Sequence, residues 1–290
     1  MVISDLMAPR HEHVSLEGGC FALISGLPNT CRAVVFVHGW GGSPAATWYR
    51  FQELVYDEEG EAEVWAWWQE ADLYFFSYES RRFSISEHAE KFLRFLDQVF
   101  PLRLISPLRA PDATRDHRYG ELYLVGHSLG AVVLRESILD RAAIAAATAR
   151  PITRSTDLLN GQLRLFAPAM HGAKPSGWLG LAYHLLREIN EIKPWLEAAL
   201  ESQPIVRQLH SESDKLKRLR DDTEKLAGTT FHSALVADVV YGEKEHIVER
   251  DKFRLDRIEL PITGRNHTSV CKPDKDYRDP LQFVMRGKHA

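Results

Sequence analysis

Apolar residues along this chain fall into short dense runs, and between them come stretches with the spacing of an amphipathic helix. AVVFVHGW (33 to 40) is a β-branched run of the kind that is buried on both faces of a parallel sheet. DLYFFSY (72 to 78), ELYLVG (121 to 126), LRLFAPA (163 to 169), ALVADVVYG (234 to 242) and IELPITG (258 to 264) predict further strands, and VSLEGGCFALISG (14 to 26) predicts a hairpin feeding the same sheet. SEHAEKFLRFLDQVF (86 to 100) sets Ala89, Phe92, Leu93, Leu96 and Phe100 on one helical face, with Ser86 as the candidate N-cap. Another helix is expected from about 129 to 147. Trp65, Trp67 and Trp68 precede the second strand and are expected to pack in a helix against the core, away from any site. Strands alternating with helices imply an α/β fold with a mainly parallel, doubly wound sheet, whose chemistry gathers at the carboxyl ends of the strands.

One segment breaks the alternation. Residues 173 to 230 carry no strand signal, and Trp178, Leu181, Ala182, Leu185, Ile189 and Ile192 recur at helical spacing before Pro194 interrupts. Leu209, Leu216, Leu219 and Leu226 continue the pattern. The expected organisation is a single domain over 1 to 290 with this helical insertion, a cap or extra packing, between the fourth and fifth buried strands.

The third strand runs without spare loop residues into Gly126-His127-Ser128-Leu129-Gly130 and a helix. Gly-x-Ser-x-Gly at such a junction forces a turn so tight that glycine is needed beside the serine. It lifts the hydroxyl of Ser128 clear of the sheet and aims a helix N-terminus at whatever binds there. A serine hydroxyl is a weak nucleophile that needs a base, and the base needs an orienting acid. His267, just past the last strand, is the candidate base; His11 and His13 precede the sheet, His210 and His232 lie in or near the insertion, and His127 is expected to pack beside the nucleophile. Candidate acids follow or occupy the fifth strand: Glu245, Glu243 and Asp238. The amide of Leu129 is one candidate oxyanion donor. The other comes from the glycine-rich loop after the first buried strand, from Trp40 first and Gly39 second.

Composition narrows the classes. The chain has 290 residues, 44% of them hydrophobic, a formal charge of −4 and a pI near 6.4, with its mixed charges in SESDKLKRLRDDTEK expected on a solvated helix face. That balance gives no electrostatic case for nucleic acid. The three cysteines, Cys20, Cys31 and Cys271, are odd in number and widely spaced, which argues against a disulfide framework or structural zinc. No HExxH, CxxC, GxGxxG or GxxxxGK[ST] pattern is present, so neither a metal nor another cofactor is expected. No signal-peptide pattern opens the chain and no apolar run reaches the length of about 18 residues that a spanning helix needs. A cytoplasmic setting is expected. Oligomeric state is left open by these patterns.

Together VFVHGWGGS, LVGHSLGA, YGEKEHIV and GRNHTSVCKP resemble the α/β-hydrolase superfamily, in particular its serine esterase and lipase-like branch, over about residues 33 to 287. The resemblance implies an α/β-hydrolase fold, Ser128 as nucleophile, His267 as base and an acid at the position of Glu245, where the family commonly has Asp. It implies hydrolysis of a small-molecule or lipid carboxylic ester through an acyl-enzyme. Amidase, thioesterase and acyl-transfer chemistry use the same parts. A binding or scaffold module on the same fold is the alternative, and docking of the insertion on a membrane surface through Trp178, Leu179, Leu181 and Leu185 is a further one.

Overall fold

The structure is a computed structural model that describes residues 11–28, 30–54, 61–100, 108, 118–147, 158–173, 203–211, 213–229, 231–250, 253 and 255–288. The expected hairpin is β1 (Glu12–Ser15) and β2 (Phe21–Ile24), paired antiparallel. The parallel strands follow as β3 (Arg32–Val37), β4 (Ala71–Phe76), β5 (Glu121–His127), β6 (Gln162–Phe166), β7 (Ala237–Val240) and β9 (Arg257–Ile258). With the hairpin they form an eight-stranded sheet in the order β1-β2-β4-β3-β5-β6-β7-β9. A separate parallel pair joins β8 (Gly242–Lys244) to β10 (Ile262–Asn266).

The direction of each crossover decides what covers the sheet. From β3 the chain steps one way to β4 through α1 (Pro44–Leu54) and α2 (Ala62–Gln69). It then steps the opposite way to β5 through α3 (Ile85–Val99), and onward to β6 through α4 (Leu129–Ala147). Right-handed connections therefore put α1 and α2 on one face and α3 and α4 on the other. The C-terminal α8 (Asp279–Arg286) packs on α2, and α3 packs on α4. Covered on both sides, Val34 to Val37, Leu73 to Phe75 and Leu124 to Val125 are completely buried, which accounts for their continuous apolar runs. Phe36 anchors one face, with ring centroids 5.1 Å from Trp48, 5.1 Å from Phe51 and 4.9 Å from Phe75. Trp67 and Trp68 of α2 are buried in the same core. Because the chain leaves β3 toward β4 and leaves the neighbouring β5 toward β6, in opposite directions, a crevice opens at the carboxyl ends of β3 and β5.

Three expectations need correction. The N-cap of α3 is Ser84 and not Ser86: Ser84 Oγ accepts from the amide of Glu87 at 3.3 Å, and the Glu87 carboxylate accepts from the amide of Ser84 at 2.8 Å. Ser84 has a Glu three residues on and so closes a reciprocal capping box; Ser86 has Ala89 there and donates instead to Glu136 at 3.1 Å. The run 234 to 242 begins as a helical turn, α7 (His232–Leu235), before β7. The run 258 to 264 divides at Pro261, which has no N–H for a ladder, into β9 and β10.

Of the insertion, residues 174 to 202, with Trp178 through Pro194, lie outside the described residues. The part from 203 to 229 forms α5 (Pro204–Gln208) and α6 (Asp214–Ala227). Leu216 and Leu219 of α6 are buried, α6 packs along α4, and Lys215 pairs with Glu136. This part therefore widens one side of the sheet. The helix that follows Ser128 is tied down from below as well: Arg135 in α4, fully buried, donates to both oxygens of Asp256 at 2.7 and 2.9 Å and to the carbonyl of Leu235 at 2.6 Å.

Candidate active site

At the carboxyl end of β5 only Ser128 separates strand from helix. Its φ is +54°, a left-handed conformation that a residue with a side chain adopts at a cost of about 1–3 kcal/mol. The surroundings hold it there: the Ser128 amide donates to Phe166 O at 3.0 Å, and its carbonyl accepts from Ala131 at 3.2 Å and Ala169 at 3.3 Å. The flanking glycines are steric requirements. A Cβ on Gly126 would stand 2.8 Å from the backbone of Ala131, and one on Gly130 would press on Val37 O and lie 2.6 Å from His38 O.

The register of β8 and β10 brings two other loops to the serine. Their parallel pairing sets Asn266 opposite Lys244, so the next residues, His267 and Glu245, leave the pair side by side. Asn266 also shapes the turn that carries the histidine. Its side-chain carbonyl accepts from the amides of Thr268 at 3.1 Å and Ser269 at 3.0 Å, while the Asn266 amide donates to Ser269 Oγ at 3.0 Å. His267 Nε2 lies 3.0 Å from Ser128 Oγ, and Nδ1 lies 2.9 Å from Glu245 Oε2. Ser128, His267 and Glu245 are all buried.

Glu245 is held as a carboxylate. Burial acts to raise its pKa, but the His267 hydrogen bond and charge, with the amides of Val248 and Ile247, bring it below the usual value. Those amides donate to Oε1 at 3.1 and 2.8 Å. An ionised carboxylate only accepts, so the imidazole proton facing it belongs to Nδ1. Nε2 is then left with a lone pair toward the serine hydroxyl, which donates to it. The His127 ring centroid lies 4.9 Å from that of His267, and His127 Nε2 donates to the His267 carbonyl at 2.8 Å. Burial and the neighbouring His267 hold its pKa well below the ordinary value, so it stays neutral.

The other two candidate acids have different partners. Asp238 in β7 bonds to Arg164 at 2.5 Å and Arg257 at 2.7 Å, and Glu243 accepts from the amide of Gly264 at 2.8 Å. Neither bonds to His267. Among the remaining histidines, His11 bonds to Ala71 O at 2.8 Å and His232 to Ala227 O at 3.1 Å, both away from the serine.

The loop after β3 forms the facing wall. Gly39 comes so close that an added Cβ would lie 3.0 Å from Ser128 Cβ. His38 Nδ1 donates to Gly39 O at 2.9 Å, and burial pushes its pKa down to about 4, so the ring is neutral. Tyr78 stacks on that ring at 4.4 Å and donates to His38 O at 2.6 Å. The amide of Gly41 donates to Ser80 Oγ at 2.8 Å and that of Gly42 to Gly39 O at 3.2 Å. Both are engaged in shaping the loop, and so is the Ser128 amide in shaping the elbow. Trp40 lines the cleft with Ser128; Leu129 begins α4 beside it but is not a wall residue. The cleft measures about 130 Å³, with Thr47, Thr268 and Lys272 completing its rim. Ser80 carries no motif signal of its own, and only the fold brings it here, whereas Lys272 belongs to the GRNHTSVCKP segment quoted for the resemblance. Among the described residues no His, Cys, Asp and Glu cluster has the make-up of a metal site, and no helix is long and apolar enough to cross a membrane.

A mostly parallel eight-stranded sheet with a strained serine elbow at its switch point is the α/β-hydrolase fold. The chain belongs to the alpha/beta hydrolase family, which matches residues 34–270. Among solved structures it is similar to the mature lipase BlEst2 of Bacillus licheniformis, at a TM-score of 0.52 and 17% identity over 92% of this chain and 97% of that one. It is also similar to the carboxylesterase CesB of Bacillus subtilis, at a TM-score of 0.49 and 12% identity over 96% and 92% of the two chains. At such identities the likeness concerns the fold alone. No curated protein sequence matches the chain.

Proposed function

We propose that the protein is a serine hydrolase that cleaves carboxylic esters through an acyl-enzyme intermediate. The observation that carries this is the relay from Ser128 Oγ to His267 Nε2 at 3.0 Å and from His267 Nδ1 to Glu245 Oε2 at 2.9 Å, drawn from separate strand ends. Ser128 attacks the ester carbonyl while His267 takes its proton. The proton then goes to the leaving alcohol, and an attacking water repeats the sequence to release the acid. Glu245 fixes the imidazole tautomer and stabilises the imidazolium. The amides of Trp40 and Leu129 hold the oxyanion, each worth about 3 kcal/mol in the transition state. His127 keeps the His267 backbone at its station.

Incubation with 4-nitrophenyl butyrate tests this directly. The expected result is a burst of nitrophenolate stoichiometric with protein, labelling of Ser128 by a fluorophosphonate, and loss of both in Ser128→Ala. A protein that turns over no ester and resists the phosphonate would instead be a binding module on a hydrolase fold.

A further inference from the structure

The cations near the cleft differ in one respect. Arg265 pairs with Asp274 at 3.3 Å and lies 3.6 Å over the Tyr277 ring, and Arg250 donates to the carbonyl of Gly242 at 2.9 Å. Lys272 lines the cleft, yet among the described residues its ammonium has no ion pair and no hydrogen bond. Its position is fixed from below. Cys271 is fully buried, and the Lys272 amide donates to Ser269 O at 3.1 Å, within the turn that carries His267. The charge is felt inside the site, where it helps to keep His127 neutral. Among the described residues no carboxylate lines the cleft, since Glu245 sits behind His267 with both oxygens occupied. Beside it, Trp40 carries the guanidinium of Arg81 5.3 Å from its ring centroid. Among the described residues the mouth is therefore positive with no carboxylate in its lining to neutralise it. A cation on a half-buried side chain without a partner is unfavourable, and an arriving anion removes that cost.

We propose that Lys272 binds an oxyanion carried by the substrate, a carboxylate or phosphate on the acid or alcohol side of the scissile ester. This rests on the hydrolase assignment for its setting, and the test separates the two. The chemistry fits half-esters of dicarboxylic acids and acyl esters of glycerophosphates alike, because both place a small anion a few bonds from the carbonyl. Lys272 acts here by placing the substrate, so its effect belongs in KM more than in kcat.

The test compares 4-nitrophenyl hydrogen glutarate with methyl 4-nitrophenyl glutarate, in which a methyl ester replaces the free carboxylate. A second pair sets butyryl glycerophosphate against butyryl glycerol. The parent is expected to favour the anion of at least one pair by about tenfold in kcat/KM, chiefly through KM. That ratio falls to about one in Lys272→Met, inverts in Lys272→Glu, and persists in Lys272→Arg and in Lys275→Met, an exposed control on the same segment. Which pair shows the preference distinguishes carboxylate from phosphate. A parent ratio near one for both pairs, or a ratio unchanged by Lys272→Met, overturns the proposal. Both pairs are titrated calorimetrically into Ser128→Ala protein with and without Lys272→Met. A Lys272-dependent preference for the anion of either pair there upholds the anion site even where no ester is turned over, which would remove only the hydrolase assignment. Equal affinities within both pairs overturn the anion site while leaving turnover to be judged separately.

Discussion

Replacing Glu245 by glutamine changes one atom, and the structure says which way that atom must point. Oε1 accepts from the amides of Ile247 at 2.8 Å and Val248 at 3.1 Å, so in Glu245→Gln the side-chain carbonyl has to take that place. The NH₂ is then left 2.9 Å from His267 Nδ1, where the carboxylate had accepted a proton. Two donors cannot face each other, so the imidazole moves its proton to Nε2 and presents a donor to Ser128 Oγ. A histidine in that tautomer cannot take the serine proton. The expected loss in kcat is about 10⁴-fold, or about 5.5 kcal/mol.

Backbone contacts on the loop are kept by the amide carbonyl, so Glu245→Gln should fold like the parent, and circular dichroism with a urea titration checks this. Burst kinetics with 4-nitrophenyl butyrate and the rate of fluorophosphonate labelling then read the chemistry. Glu243→Gln, whose carbonyl still accepts from Gly264, should stay within about twofold of the parent. The reasoning is refuted if Glu245→Gln keeps kcat within about tenfold of the parent, or if Glu243→Gln matches its loss.

Asp256→Ala leaves Arg135 buried and unpaired and should cost about 3–5 kcal/mol in urea unfolding; a cost below 1 kcal/mol would mean that water reaches the guanidinium. His38 has a folded pKa of about 4 against an ordinary 6.5, so between those values the unfolded chain binds a proton that the folded one does not. His38 should therefore contribute a loss of about 3 kcal/mol of stability as pH drops from 6.5 to 4, and His38→Gln should remove that share of the slope while the shares of His88 and His127, also lowered by burial, remain. Ser80→Ala frees the amide of Gly41 and lets the loop after β3 drift, which should lower kcat about tenfold with KM nearly constant in steady-state assays.

The parts of the site readable from the sequence are those that local chain geometry dictates. A strand that becomes a helix across one serine needs glycine at 126 and 130 because Ala131 and Val37 stand where a Cβ would go, and that demand is written in consecutive residues. The glycine loop after β3 is local in the same way. The acid is different. Glu245, Glu243 and Asp238 all sit on or near the fifth strand, and the pairing of Asn266 with Lys244 determines which of them meets His267. That register joins segments about twenty residues apart and has no periodic signature. The apolar run 258 to 264 was equally ambiguous, because its hydrophobicity reads as one strand while Pro261 divides it between two sheets.

Asp238 and Glu245 show how such a register separates structure from chemistry. Both are buried acids on one stretch of chain. Asp238 has two guanidinium partners, yet burial keeps its pKa above the ordinary value, because Arg257 is 67% exposed and Arg164 is shared with the carbonyl of Val284 in α8. It fastens the C-terminal helix to the sheet. No Lys or Arg bonds to the Glu245 carboxylate among the described residues, yet its pKa is lowered against the effect of burial, since the His267 hydrogen bond and charge and two backbone amides converge on it. Asp238 is committed to the guanidinium groups of Arg164 and Arg257, whereas the loop 245 to 248 closes on one oxygen of Glu245 and leaves the other facing His267, so the pairing of β8 with β10 decides which buried acid the imidazole meets.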